Sequence, residues 1–145
     1  MSTLRPETAL RAILLDNADI VNTIGDRLTR SVALQTSPHP FGIFARTKTD
    51  PHYTMDSSSD LREVDVMFAW YDTDFDALDA LIQKAENVLS GFSGEVAVED
   101  KSVHIDTVYL TDERDGDVLA ADGSGEPLWC IEQIFRVAYN LNMET

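Results

Sequence analysis

Residues 61–89, LREVDVMFAWYDTDFDALDALIQKAENVL, decide the fold, because the spacing of apolar residues changes within them. From 61 to 71 the period is two. Val64, Val66, Phe68 and Trp70 share one face, and Leu61, Met67, Ala69 and Tyr71 share the other with two charges. That period belongs to a β-strand. Asp72, Thr73 and Asp74 then offer side-chain oxygens and negative charge where the first backbone N–H groups of a helix would need them. From Phe75 the spacing becomes three and four. Phe75, Leu78, Leu81, Ile82, Ala85, Val88 and Leu89 line one stripe, and Gly91 follows as a stop, which predicts an amphipathic helix over 75–89. A strand running directly into such a helix implies a mixed fold in which the helix packs on a sheet.

Working outward, Pro6 suits a first helical position with Glu7 beside it. Leu10, Ile13 and Leu14 extend a helix over 6–15. Asp16-Asn17 offers caps for a second short helix carrying Ile20, Val21 and Ile24, which Gly25 ends. Residues 27–34 read as a weak strand. Pro38-His39-Pro40 is an extended break, followed by a strand over 41–48 in which Phe41, Ile43, Ala45 and Thr47 alternate. Residues 50–60, DPHYTMDSSSD, read as a polar loop. Beyond the long helix, 102–112 reads as a strand, 112–127 as a flexible acidic loop, and 128–141 as a long final strand.

Neither an internal repeat nor a domain boundary is legible, so residues 1–145 are expected to form a single domain. The connections are too short for a wholly parallel sheet. The expected fold is α+β: a mainly antiparallel sheet of about four or five strands, with one long and one or two short helices packed on one face. The strands at 64–71 and 128–139 are apolar on both faces, yet one long helix can cover only one of them. Either the sheet curls into a small closed barrel, or its second face packs on another subunit.

Charge narrows the function. With 26 acidic against 11 basic residues the chain carries −15. Tight nucleic-acid binding needs basic surface to displace counterions, so it is not expected. No stretch approaches the ~18 apolar residues of a membrane helix, and no signal peptide is read at the N-terminus. Cys130 is the only cysteine. It cannot form an intrachain disulfide, which fits a reducing compartment.

Catalytic and metal chemistry find little support. His39, His52 and His104 are scattered over a turn, a loop and a strand, without zinc-type spacing. Cys130 lies in the most apolar strand, where a free thiol acts as a small hydrophobe. Asp72, Asp74 and Asp76 are accounted for by capping. Counted from Asp115, the acidic loop places Leu119 and Ala120 where a calcium loop needs a ligand and a glycine. Phosphate-binding loops, dinucleotide glycine fingerprints and nucleophile elbows are missing too. The chain is therefore read as a non-enzyme without catalytic, cofactor-binding or metal residues and without a cofactor.

Five segments in order carry a family resemblance: ETALRAILLDNADIVNTIGDRL (7–28), PFGIFARTKTD (40–50), the strand, aromatic junction and long helix of 52–94, VHIDTVYLTDERD (103–115) and LWCIEQIFRVAYN (128–140). Together, over about residues 6–141, they resemble the tail completion proteins of long-tailed bacteriophages and gene transfer agents. The stretch from Gly116 to Pro127 departs from the pattern in length and acidity. The resemblance implies a structural virion protein, made in the host cytoplasm. It would form a ring, commonly a hexamer, at the head-proximal end of the tail. That ring would cap the tail tube as a tail terminator and join it to the neck, touching tail tube and neck or connector proteins. DNA would pass through its channel without specific binding, and no membrane is involved. The alternatives are a head-side neck adaptor or stopper, or a small ligand-binding domain. Candidate subunit or partner contacts are Leu61, Met67, Tyr71, Val118 and Leu119.

Overall fold

The computed structural model describes residues 2–30, 40–53, 58–116, 119–120 and 127–140. Helix α1 spans Pro6–Leu15 and α2 spans Ala18–Ile24. Asn17 caps α2, its Oδ1 accepting the Ile20 N–H at 3.2 Å. Gly25 ends it at φ 61°, a left-handed angle that glycine adopts without a Cβ penalty. Helix α3 spans Phe75–Leu89, with Asp74 as its N-cap. One Asp74 oxygen accepts from the N–H groups of Asp76 and Ala77 at 3.0 and 3.3 Å. Asp72 in turn accepts from the Asp74 N–H, so the acids of this run serve the turn into the helix.

The sheet is larger than the sequence reading. Four long strands form its centre, in the order β6 (Lys101–Asp115), β8 (Pro127–Asn140), β4 (Ser58–Asp72), β3 (Phe41–Tyr53), all antiparallel. Short β2 (Leu28–Arg30) extends it in parallel beside β3. At the other edge β5 (Gly94–Val98) pairs antiparallel with β6. Residues 101–105 of β6 use one edge for β5. On its other edge β1 (Ser2–Thr3) meets Lys101 and Ser102 and so prolongs the column of β8. Finally β7 (Leu119–Ala120) pairs with Pro127 and Leu128.

Eight strand segments are thus present among the described residues, where four or five were expected. The extra ones are short, and period-two reasoning has little to work on in two to five residues. The second departure is at 50–60. Strand β3 runs on to Tyr53 and β4 begins at Ser58, with Tyr53 opposite Ser58. Composition marked this stretch as loop, but an antiparallel ladder is held by backbone hydrogen bonds and tolerates polar side chains at a sheet extremity. Residues 31–39, 54–57, 117–118 and 121–126 lie outside the described residues. With them go most of the 27–34 strand reading, the Pro38–Pro40 break except Pro40, and Val118.

One face of the sheet carries the core. Val64, Val66, Phe68 and Trp70 of β4 and Phe135 and Val137 of β8 are buried. They pack with Ala9, Leu10 and Leu14 of α1, Ile20 and Ile24 of α2, and the α3 stripe Leu78, Leu81, Ile82, Ala85 and Leu89. Phe68 and Trp70 stack at 5.6 Å, and Phe135 meets Phe68 edge-on at 6.0 Å. Two buried polar groups satisfy each other inside this core. The Trp70 indole N–H donates to Gln133 at 3.0 Å, and the Gln133 amide donates to the Ile82 carbonyl at 3.1 Å. Strands β4 and β8 are thereby tied to α3, and among the described residues no buried side-chain nitrogen or oxygen is left unpaired. Gly42 leaves the space that Trp70 fills, since a Cβ there would stand 2.7 Å from the indole.

Candidate functional site

The opposite face of the sheet receives no helix among the described residues. Register places its residues in rows across the strands. Phe41 faces Tyr71 and Tyr71 faces Cys130; Ile43, Ala69 and Glu132 form the next row; Ala45, Met67 and Ile134 the next. The alternation Phe41, Ile43, Ala45 therefore points away from the core. The core side of that stretch is Gly42, Phe44 and Arg46. Apolar residues on both sides of β4 and β8 are what the sequence predicted, and β3 shares the pattern. Among the described residues β2 and β5 pair only inward, and no barrel closure is formed between them.

All three of Leu61, Met67 and Tyr71 fall on this open face, and each is half-buried. They do not form one cluster. Tyr71 stacks on Phe41 at 4.9 Å, and both pack with buried Leu128. Met67 lies mid-face. Leu61 is opposite Asn140 at the far end, ten residues from Tyr71, or roughly 33 Å along a strand. Leu119 pairs with Leu128 and so belongs to the Tyr71 end.

What the sequence reading missed here is charge. Arg136 of β8 bonds both Glu63 and Asp65 of β4, and Arg114 of β6 bonds Glu132 at 2.8 Å, with Asp112 at 3.6 Å. Glu132 raises the already high Arg114 pKa further. The register that pairs these groups depends on two bulges in β6, after Ile105 and after Leu110, which no spacing rule reveals. Tyr109, opposite Arg136, is 46% exposed and adds an aromatic edge to the face. An apolar band crossed by satisfied ion pairs offers contact surface.

The helix-covered side has its own electrostatic focus. Glu7 of α1 is fully buried. Its carboxylate takes Arg30 at 3.0 Å and Arg46 at 3.2 Å, with Arg5 at 3.6 Å. Burial alone pushes the Glu7 pKa up. The hydrogen bonds from its own backbone N–H and from Arg30 and Arg46, with the Arg46 charge, outweigh burial and leave it below the ordinary value. Of the residues weighed for metal or nucleophilic chemistry, Cys130 is buried against Gly116 outside any disulfide, and His104 is exposed on β6.

Comparison with protein-family models and with curated proteins gives no match. Nine chains of solved structures do match. One of them is a chain of the virion of a native gene transfer agent (GTA) particle. It aligns with a TM-score of 0.72 over 93% of this chain and 94% of its own length, at 12% identity. At that identity the likeness establishes a shared fold.

Proposed function

We propose that this chain is a structural component of a phage-like or gene-transfer-agent particle, acting as a ring-forming tail completion protein. The observation that carries the reading is the likeness just described, which spans nearly the full length of both chains. It agrees with the independent resemblance of five ordered sequence segments. In this reading the open sheet face is a subunit or partner interface, with Met67 at its centre, Tyr71 and Leu119 at one end and Leu61 at the other. A homo-oligomer, commonly hexameric, caps the tail tube and meets neck proteins. It works without catalysis, and the surplus of acid lets DNA pass without binding.

Localisation tests this. Purified particles, labelled with an antibody against this chain, should carry the label at the junction of head and tail, and detached tails should keep it. Label that stays with heads after tails are removed would place the protein on the head side of the neck instead. Particles lacking the protein altogether would sink the proposal.

A further inference from the structure

The chain's charge is strongly segregated. Residues 1–62 hold seven basic and seven acidic side chains, whereas 63–145 hold four basic and nineteen acidic, so the whole −15 belongs to the second part. The fold concentrates the segregation. Where β1 runs into α1, a cleft of about 310 Å³ opens, lined by Thr3, Leu4, Arg5, Arg46, Arg62 and Tyr139. Among the described residues the carboxylate beside it is Glu7, already engaged by Arg30 and Arg46. Among the described residues Arg62 has no ion-pair partner, and the Arg5 side chain is 64% exposed. Arg5 and Arg46 share the single Glu7 carboxylate with Arg30, so among the described residues the cleft carries more positive than negative charge.

The opposite end of the same sheet is negative. Arg62 and Tyr139 are paired residues at one end of β4 and β8. At the other end, Asp115 and Glu113 of β6 lie opposite Ile131 and Gln133. Asp112, Glu113 and Asp115 are all exposed there, and Arg114 is the single cation among them, itself bonded to Glu132. One subunit therefore presents an arginine cleft and an exposed acidic strand end roughly 17–26 Å apart along the strands.

We infer that the Arg5–Arg46–Arg62 cleft receives the acidic end of β6, Asp112–Asp115, from a second copy of this chain. Arginine is suited to the role, because its planar fork bonds carboxylates in pairs. The two patches are different surfaces on opposite ends, so each copy donates one and accepts with the other. Such a head-to-tail contact propagates from copy to copy and closes into a ring when the rotation permits. This inference rests on the ring-forming reading above and supplies it with a specific contact.

The test is a charge swap in the full chain. Arg62→Glu, and separately the double variant Asp112→Arg with Asp115→Arg, should each keep the wild-type fold by circular dichroism. Each should weaken self-association roughly tenfold or more, read by light scattering or analytical ultracentrifugation. Mixed in equal amounts, the two should associate again, because every reversed cleft then meets a reversed strand end. Arg5→Glu, on a more exposed side chain, repeats the first arm should Arg62→Glu unfold. Association unchanged in the single variants, or folded variants that do not rescue one another, overturns the cleft contact and leaves the virion reading intact. A gain of association by inorganic phosphate or duplex DNA in wild type, lost in Arg62→Glu with no effect on self-association, shows an anion site and equally overturns it. A wild-type chain that stays monomeric at every concentration and salt overturns both the contact and the ring.

Discussion

At the scale of single residues, Glu7 shows how this chain uses a buried charge. A carboxylate at full burial costs several kcal/mol of desolvation unless compensated, and here its compensation comes from β2, β3 and the residue before α1. The helix is thereby bound to the sheet by charge as well as by Leu10 and Leu14. Because the folded pKa is below the ordinary one, Glu7 contributes stability that is fully present above the unfolded value, near 4.3. That stability is lost as pH falls from there through the lower folded pKa. Glu7→Gln should therefore cost about 1–3 kcal/mol at pH 7, the arginines being partly solvated. It should also flatten the loss of stability below about pH 4.3. Urea unfolding of both proteins between pH 3 and 7 measures this; parallel pH profiles would mean that Glu7 does not titrate against the fold.

At the scale of elements, helix α3 and strand β4 divide the labour. The α3 stripe was legible because five of its residues recur at helical spacing and are now all buried. Leu81→Asp places an unpaired charge in the core and should cost at least ~3 kcal/mol, lowering the melting temperature by roughly 10 °C. A melting temperature within a degree of wild type would refute the packing. Helix bounds, both side-chain caps and the four long strands could be read because each is set by local spacing or by capping chemistry. Strands β1, β5 and β7 could not, since each is short and owes its pairing to β6 or β8 rather than to its own residues. The candidate contact face was legible in part. Leu61, Met67 and Tyr71 were singled out by parity alone and do share a face, whereas the Arg136 and Arg114 ion pairs needed the bulged register of β6. Met67 lies mid-face and outside the core, so Met67→Glu should leave the melting temperature nearly unchanged and suppress oligomers in size-exclusion chromatography. Oligomers of unaltered size and affinity would remove this face from the assembly.

At the scale of the whole molecule, two electrostatic effects oppose each other, and their ranges decide which dominates. Each subunit carries −15, so six together would hold about −90 before counterions, a repulsion felt across the entire assembly. Attraction between an arginine cleft and an acidic strand end acts only at contact. The Debye length is about 30 Å at 0.01 M salt, about 8 Å at 0.15 M and about 3 Å at 1 M. At the lowest salt the net charge of one subunit reaches its neighbour undiminished, and subunits should stay apart. Near physiological salt the long-range repulsion is screened while pairs within ~4 Å still attract, and the apolar band of the open face adds a salt-tolerant term. At 1 M the contact pairs weaken in their turn. Self-association measured by light scattering should therefore rise from 0.01 M, peak around physiological salt, and decline toward 1 M without vanishing. A rise that continues to 1 M would mean that apolar contact alone joins the subunits and that the cleft stays empty. A fall beginning at the lowest salt would mean that ion pairs alone hold them and that the open face takes no part.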